Sequence, residues 1–269
     1  WAETLQTPDP DGLHHPDISA GINLYYHIVT AFAETEITAC ARTAQPCTVP
    51  DVWYPSVGIL AARCGAYVLG AKAGCNADSH NHNDVGSIIL YKDGLPVFID
   101  VGVETYSQKT FSPQRYEIWT MQSAWHNLPV FDPDGAAYQQ QPGAEYAAAE
   151  VTLADDLHSI TMDIAPAYGS VPGLGYYRRT VTLTETGLTL RDETDYPGAV
   201  ALTLMTMEKP QAQGNALHLG STAVIRFSAL PRLVTETVPI TDPRLRLAWP
   251  DTLYRTRLYF TSRIDLTIQ

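Results

Sequence analysis

No run of apolar residues in this chain reaches the roughly 18 that a helix needs to cross a bilayer, so a helical membrane span is excluded. Basic residues are scarce. Seventeen Lys and Arg stand against 29 Asp and Glu, a formal net charge of −12. That balance argues against nucleic acid and against anionic membrane surfaces, because both need a basic footprint. Cysteines number only four, Cys40, Cys47, Cys64 and Cys75, and none forms a C-x-x-C pair. A thiolate zinc site or a redox motif is therefore not expected. Cys40 and Cys47 would close a short loop in an exported protein, and otherwise all four read as free, partly buried thiols. The opening Trp1-Ala2-Glu3-Thr4 has neither the basic start nor the apolar stretch of a signal peptide. It also lacks an initiator Met, as expected of an excised or processed piece. Internal repeats and low-complexity tracts are missing too.

What is present divides at about residue 50. Residues 1–17 are rich in Pro, Asp and His and read as irregular, with His14-His15 solvated. Ile18, Ile22, Tyr25, Tyr26, Val29, Phe32 and Ala33 recur at helical spacing, which predicts one helix over 18–41 with Ser19 as its N-cap. Cys40 to Asp51 reads as a Pro-bearing linker. Beyond it, short apolar runs alternate with turn signals. Residues 57–63 and 66–71 flank Cys64-Gly65, and 87–91 and 96–101 flank Asp93-Gly94. Further runs are expected at 150–153, 159–164, 178–184, 188–193, 200–207, 216–219, 223–227 and 255–261. A dozen short strands without alternating helices predict a mainly β chain. The expected architecture is an antiparallel β-sandwich over 51–269, preceded by a short helical or irregular segment at 1–50.

The densest polar stretch is Ser79-His80-Asn81-His82-Asn83-Asp84-Val85-Gly86. In an extended chain, residues two apart share a face. His80, His82 and Asp84 would then point one way, and Asn81 and Asn83 the other. Two imidazoles and a carboxylate suit a borderline cation such as zinc, and suit proton transfer equally well. The bland alternative is a polar surface loop in which Asn and Asp serve turns. Asp100 extends the cluster. It ends the apolar run Val97-Phe98-Ile99, where an unpaired carboxylate is costly unless something binds it. His126 lies in Gln122-Ser123-Ala124-Trp125-His126-Asn127, again polar groups amid aromatics.

One geometric condition follows. A three-residue loop at Asp93-Gly94 pairs Tyr91 with Leu95 and Gly86 with Asp100. His82 would then lie about 13 Å along the ladder, at ~3.3 Å per residue. A shared metal site requires the chain to bend near Gly86, which glycine permits.

The stretch 79–87 resembles the signature of the heparinase II/III-like polysaccharide lyases, a bacterial family. So do Phe98-Ile99-Asp100-Val101-Gly102-Val103-Glu104-Thr105-Tyr106, Thr110-Phe111-Ser112, Arg115-Tyr116-Glu117-Ile118-Trp119-Thr120-Met121-Gln122-Ser123 and His126-Asn127-Leu128-Pro129. The resemblance covers 79–129 in order and is diffuse beyond. It implies an N-terminal (α/α) toroid followed by antiparallel sandwiches, and a structural zinc whose ligands map onto His82, Asp100 and His126. It also implies β-elimination at a uronic acid in an acidic polysaccharide, heparin- or heparan-sulfate-like or alginate-like. A Tyr and His pair from the toroid handles the proton, and a sandwich His, corresponding to His80, helps with the substrate carboxylate.

Proton abstraction beside a carboxylate builds up negative charge that needs a nearby cation or donor. His80 would supply it, and Asn81 or Asn83 would donate to the same oxygens. Arg115 would bind a carboxylate or sulfate bidentately, and Tyr116 would act as a second acid or base. A surface ion pair and a core aromatic are the bland alternatives for these last two. Residues 1–50 are too few for a toroid, so they read as a remnant of one or its linker. This chain alone is expected to have little or no lyase activity. The acidic balance fits substrate attraction by a preceding domain, or equally a less charged substrate such as an alginate oligomer rather than a highly sulfated heparin. Two rival readings are a non-catalytic carbohydrate-binding sandwich, given five Trp and fifteen Tyr, and a zinc hydrolase with a catalytic metal at His82, Asp100 and His126.

Overall fold

The computed structural model describes Thr35, Glu36, Ala39 and residues 49–269. Thr35, Glu36 and Ala39 are helical; the rest of the predicted 18–41 helix, its Ser19 cap and the Cys40–Cys47 pair lie outside the described residues. Asp51–Gln269 form one compact unit, built of antiparallel sheets.

The first sheet has five strands, in the order Val52–Tyr54, Ile59–Cys64, Tyr67–Lys72, Ile88–Lys92 and Leu95–Phe98. Its hairpins follow from local chemistry. Cys64 pairs with Tyr67 across Gly65-Ala66, with Gly65 at φ +57°. Tyr67, Leu69 and Ala71 point inward while Val68 is exposed, the alternation of a half-buried strand. The next loop corrects an expectation. It has two residues, not three: Lys92 pairs with Leu95 and Tyr91 with Pro96. Asp93 (φ +51°) and Gly94 (φ +77°) are both left-handed, as the tight primed turn of a hairpin demands. A bulge then shifts the register so that Leu90 faces Phe98.

The second sheet has eight strands, ordered Gln211–Gln213, Ala216–Leu219, Ala223–Arg226, Arg263–Ile268, Gly187–Thr194, Tyr177–Thr184, Ser159–Asp163 and Ala149–Leu153. The third has four: Arg232–Pro239, Thr252–Phe260, Val200–Thr206 and Pro129–Phe131. Cys75–Asn76 pairs with Gly143–Ala147 as a short ribbon. One apolar core joins the three larger sheets, with Leu60 and Leu69 from the first, Val181 and Leu190 from the second, and Leu202 and Leu258 from the third. A layered antiparallel sandwich is the result, as the strand pattern predicted.

Val200–Thr206 is buried along its whole length. Val200, Leu202 and Leu204 enter the main core, while Met205 enters a second cluster with Ile99, Val101, Val238, Ile240, Leu245 and Leu253. This strand carries apolar packing on both faces, and the second cluster lies under the segments that carry Asp100 and His126. Among the described residues, Cys64 and Cys75 are free thiols.

Candidate functional site

Three separate stretches supply the candidate metal donors. His82 lies in the irregular segment between Cys75–Asn76 and Ile88–Lys92. That segment turns at Gly86, whose φ is +86°. Gly86 N donates to Lys72 O at 2.7 Å, and Ser87 N to Asp84 O at 2.9 Å. The bend that a shared site required is therefore present. A Cβ at Gly86 would stand 2.7 Å from Ile164 Cγ2, so glycine is needed for space as well as for φ. Asp100 comes two residues after Leu95–Phe98, and its Oδ1 accepts from Gly102 N at 2.7 Å. His126 ends the short 3-10 turn Ser123–Trp125 and precedes Pro129–Phe131.

The donor atoms of His82, Asp100 and His126 all lie within 4.8 Å of one another. His126 is 1% exposed. Its Nδ1 is 3.0 Å from Asp100 Oδ2, and its ring is 5.4 Å from that of His82 at 52°. Its Nε2 is buried without a hydrogen-bond partner. Burial resists the charge on His126, yet the Asp100 carboxylate raises its pKa above the ordinary imidazole value. Burial likewise resists ionisation of Asp100, but His126, then His82 and the Gly102 amide, hold its carboxyl well below the usual range. Burial, with His126 adding to it, pushes the His82 imidazole down.

These donors fit zinc by type and by span. Two imidazoles and one carboxylate are borderline ligands. Atoms each ~2.0–2.2 Å from one ion stand at most about 4.4 Å apart, so the cluster needs only slight tightening. The buried His126 ring nitrogen without a hydrogen-bond partner also fits a donor that an ion would engage.

The neighbouring residues divide differently from the sequence expectation. His80 is exposed, at φ +60°, with Nδ1 3.3 Å from Tyr106 Oη. The two rings stack with centroids 6.2 Å apart. Arg244 lies over the Tyr106 ring at 4.6 Å. Asp84 does not join His80 and His82. Its Oδ1 accepts from Lys72 Nζ at 2.5 Å, because the segment is irregular rather than extended. Asn83 is 3% exposed and donates to Gln140 O at 3.2 Å, so burial removes it from substrate contact. Asn81, 6% exposed, accepts from Lys72 Nζ and donates to Tyr116 Oη at 3.3 Å. Arg115 sends Nε and Nη2 to the Asn81 carbonyl, at 3.0 and 2.6 Å. A guanidinium fork held on a backbone oxygen is not poised for bidentate capture of a carboxylate. Arg115 and Asn81 instead surround half-buried Tyr116, with the guanidinium 6.0 Å from its ring centre.

Four residues escaped the sequence reading. Lys72 ends an apolar strand and has no motif around it. Gln140 bridges Asn76, Asn83 and Val85; the run Gln139-Gln140-Gln141 was its only trace. Tyr106 and Asn127 stood in the resembling stretch, but nothing in their spacing gave them a task.

The family model described as heparinase II/III-like, C-terminal, matches residues 48–245. Among solved structures, a mutant heparan sulfate lyase from Pedobacter heparinus is similar at TM-score 0.62 and 14% identity, over 90% of this chain and 40% of that one. A heparinase III crystal structure gives TM-score 0.60 and 18% identity, over 90% and 41%. A second heparinase III, with methylated lysines, gives TM-score 0.63 and 12% identity, over 90% and 39%. At these identities the likeness speaks for the fold. The chain spans about 40% of the length of the heparan sulfate lyase. No curated protein matches it.

Proposed function

The chain belongs to the heparinase II/III-like C-terminal family, and on that premise we propose that it is the sandwich portion of a polysaccharide lyase. The substrate class is an acidic, uronate-containing polysaccharide, heparan-sulfate-like or alginate-like, cleaved by β-elimination. The observation that carries the reading is the convergence of His82, Asp100 and His126, from three separate stretches, with an exposed histidine two residues from the first.

His82, Asp100 and His126 would hold a zinc ion, which when bound cross-links the three stretches as a structural tie. The chain's own groups then have distinct tasks. His80, stacked on Tyr106, faces solvent where a sugar would lie. Its imidazolium form would neutralise the uronate carboxylate as the adjacent carbon loses its proton. Tyr106 Oη, 3.3 Å from Nδ1, fixes the ring so that Nε2 is the nitrogen left for substrate. Tyr116 accepts a hydrogen bond from Asn81, which leaves its own hydroxyl hydrogen for an outside acceptor such as the departing glycosidic oxygen. Arg115 and Asn81 orient Tyr116 rather than grip the sugar.

The proton-abstracting pair belongs, in this proposal, to a helical domain preceding the sandwich, and this chain alone turns over little or no substrate. The test is ultraviolet absorbance of the unsaturated uronate product. It would be read with this chain, and with the chain joined to its preceding domain, on heparan sulfate and on alginate oligomers. The joined protein should produce unsaturated ends and its His80→Ala variant should not. Binding of either polysaccharide without any such product would replace the lyase reading with that of a binding module.

A further inference from the structure

Asn127 directly follows His126 and is 1% exposed. Every hydrogen-bonding group it owns is engaged. Side-chain Nδ2 donates to Ile88 O at 2.7 Å and to Ile99 O at 3.0 Å. Oδ1 accepts from Met205 N at 2.8 Å. The backbone N donates to Ser87 Oγ at 3.3 Å, and the backbone O accepts from Arg179 Nη1 at 2.7 Å.

The partners define the meaning of this pattern. Ile99 immediately precedes Asp100. Ser87 and Ile88 end the turn that follows His82. Met205 belongs to the doubly buried strand Val200–Thr206. Arg179 Nη1 also reaches Gly86 O at 2.7 Å, so one buried guanidinium fixes the Gly86 turn and Asn127 together. A single amide therefore ties the backbones of all three donor stretches to one another and to the sheet beneath. Both ends of the 3.0 Å contact between His126 and Asp100 are referenced to it within one residue.

We propose that Asn127 is the positioning residue of the metal centre, setting the spacing of His82, Asp100 and His126 before an ion arrives. This rests on the zinc reading of that cluster. The chemistry needs an asparagine. Two donors and one acceptor lie in one plane, and three backbone partners on separate stretches of chain take all of them. An ionised aspartate has no donors for the two carbonyls, and leucine of similar volume has neither donors nor an acceptor. Partners of this kind, one step behind the ligands, hold donor geometry, and their loss weakens metal affinity even where the ligands remain.

The experiment is a zinc titration of the chain against a fluorescent chelator, with melting temperature recorded in parallel. Asn127→Ala should raise the zinc Kd about 10- to 100-fold. Asn127→Ser keeps a hydroxyl for one backbone partner and should show a smaller rise. Leu190→Ala, a core truncation in the eight-stranded sheet, should lower the melting temperature and leave the Kd unchanged. Should Asn127→Ala fail to fold, Asn127→Ser carries the comparison. Folded Asn127 variants that bind zinc as tightly as the parent would overturn the inference. A parent chain that binds no zinc overturns the metal reading and this inference with it, and that failure shows before any variant is made.

Discussion

Arg179 and Asp192 meet inside the protein through two parallel hydrogen bonds, Nε to Oδ1 at 2.8 Å and Nη2 to Oδ2 at 2.7 Å, and neither side chain reaches solvent. Tyr177 Oη adds a third bond to Asp192 at 2.6 Å. With Nη1 on two loop carbonyls, four of the five guanidinium N–H groups are engaged, and the pair bridges the eight-stranded sheet to the loops of the candidate site. Removing one partner strands the other charge in a dry core. Arg179→Met should therefore destabilise the chain by about 3–5 kcal/mol. Arg179→Met combined with Asp192→Leu should recover part of that loss, since no lone charge remains. Urea unfolding of the single and double variants measures both, and equal losses would refute the argument.

Zinc should raise the stability of the chain through the folded state alone. At a hundredfold excess over Kd the gain is about 2.7 kcal/mol. His126→Ala and Asp100→Ala should abolish the shift in melting temperature, while Asp84→Asn, whose carboxylate is committed to Lys72, should keep it. A shift that survives loss of His126 would place the ion elsewhere.

Gly86 and Gly94 offer a matched pair. Both are left-handed, at φ +86° and +77°. An added Cβ at Gly94 meets nothing within 4 Å, but at Gly86 it strikes Ile164. Gly94→Ala should cost about 1 kcal/mol of backbone strain. Gly86→Ala should cost clearly more, and should also weaken zinc binding because the His82 segment must shift. Denaturation midpoints for the two variants rank them directly.

Acid should loosen the exposed corner around His80. Burial resists ionisation of Asp242, but the Leu245, Thr105 and Arg244 amides and the Thr105 hydroxyl hold its carboxyl below the ordinary range. A carboxylate depressed in the folded state contributes stability above its unfolded pKa of about 3.9, and loses it as pH falls through the folded value. Asp242→Asn should therefore flatten the fall of melting temperature below about pH 4. Thr105 adjoins Tyr106, so the same variant should loosen the His80–Tyr106 pair, read from Tyr106 ring signals by NMR.

Much of this was legible from the chain. The hairpins around Gly65 and Asp93-Gly94 declare themselves through turn chemistry, and Tyr67–Lys72 through alternation. Asp100 and His126 stand out as polar groups in apolar company, His82 stands out through its dense polar stretch, and the resemblance joins the three. Other features had no local signal. The two-residue loop puts the register one residue away from the expected pairing at Tyr91, and the bulge at Leu90, which depends on sheet twist and packing, adds one more. Arg232–Pro239 exposes or half-exposes most of its residues and ends in proline, and Gln211–Gln213 is wholly exposed. Both are edge strands whose polar character hides them. Asp84 went to Lys72 and Arg115 to the Asn81 carbonyl. Those pairings depend on where distant strands end, which spacing along the chain does not encode.

The strand Val200–Thr206 has a consequence for synthesis. Ile99 N and Asn127 Oδ1 both bond to Met205, and Thr203 N bonds to Leu128 O. On the ribosome, His82, Asp100 and His126 emerge long before their supporting strand is translated. The donors are therefore covalently present before they can hold their spacing, and under the zinc proposal ion capture would wait until that strand has been made.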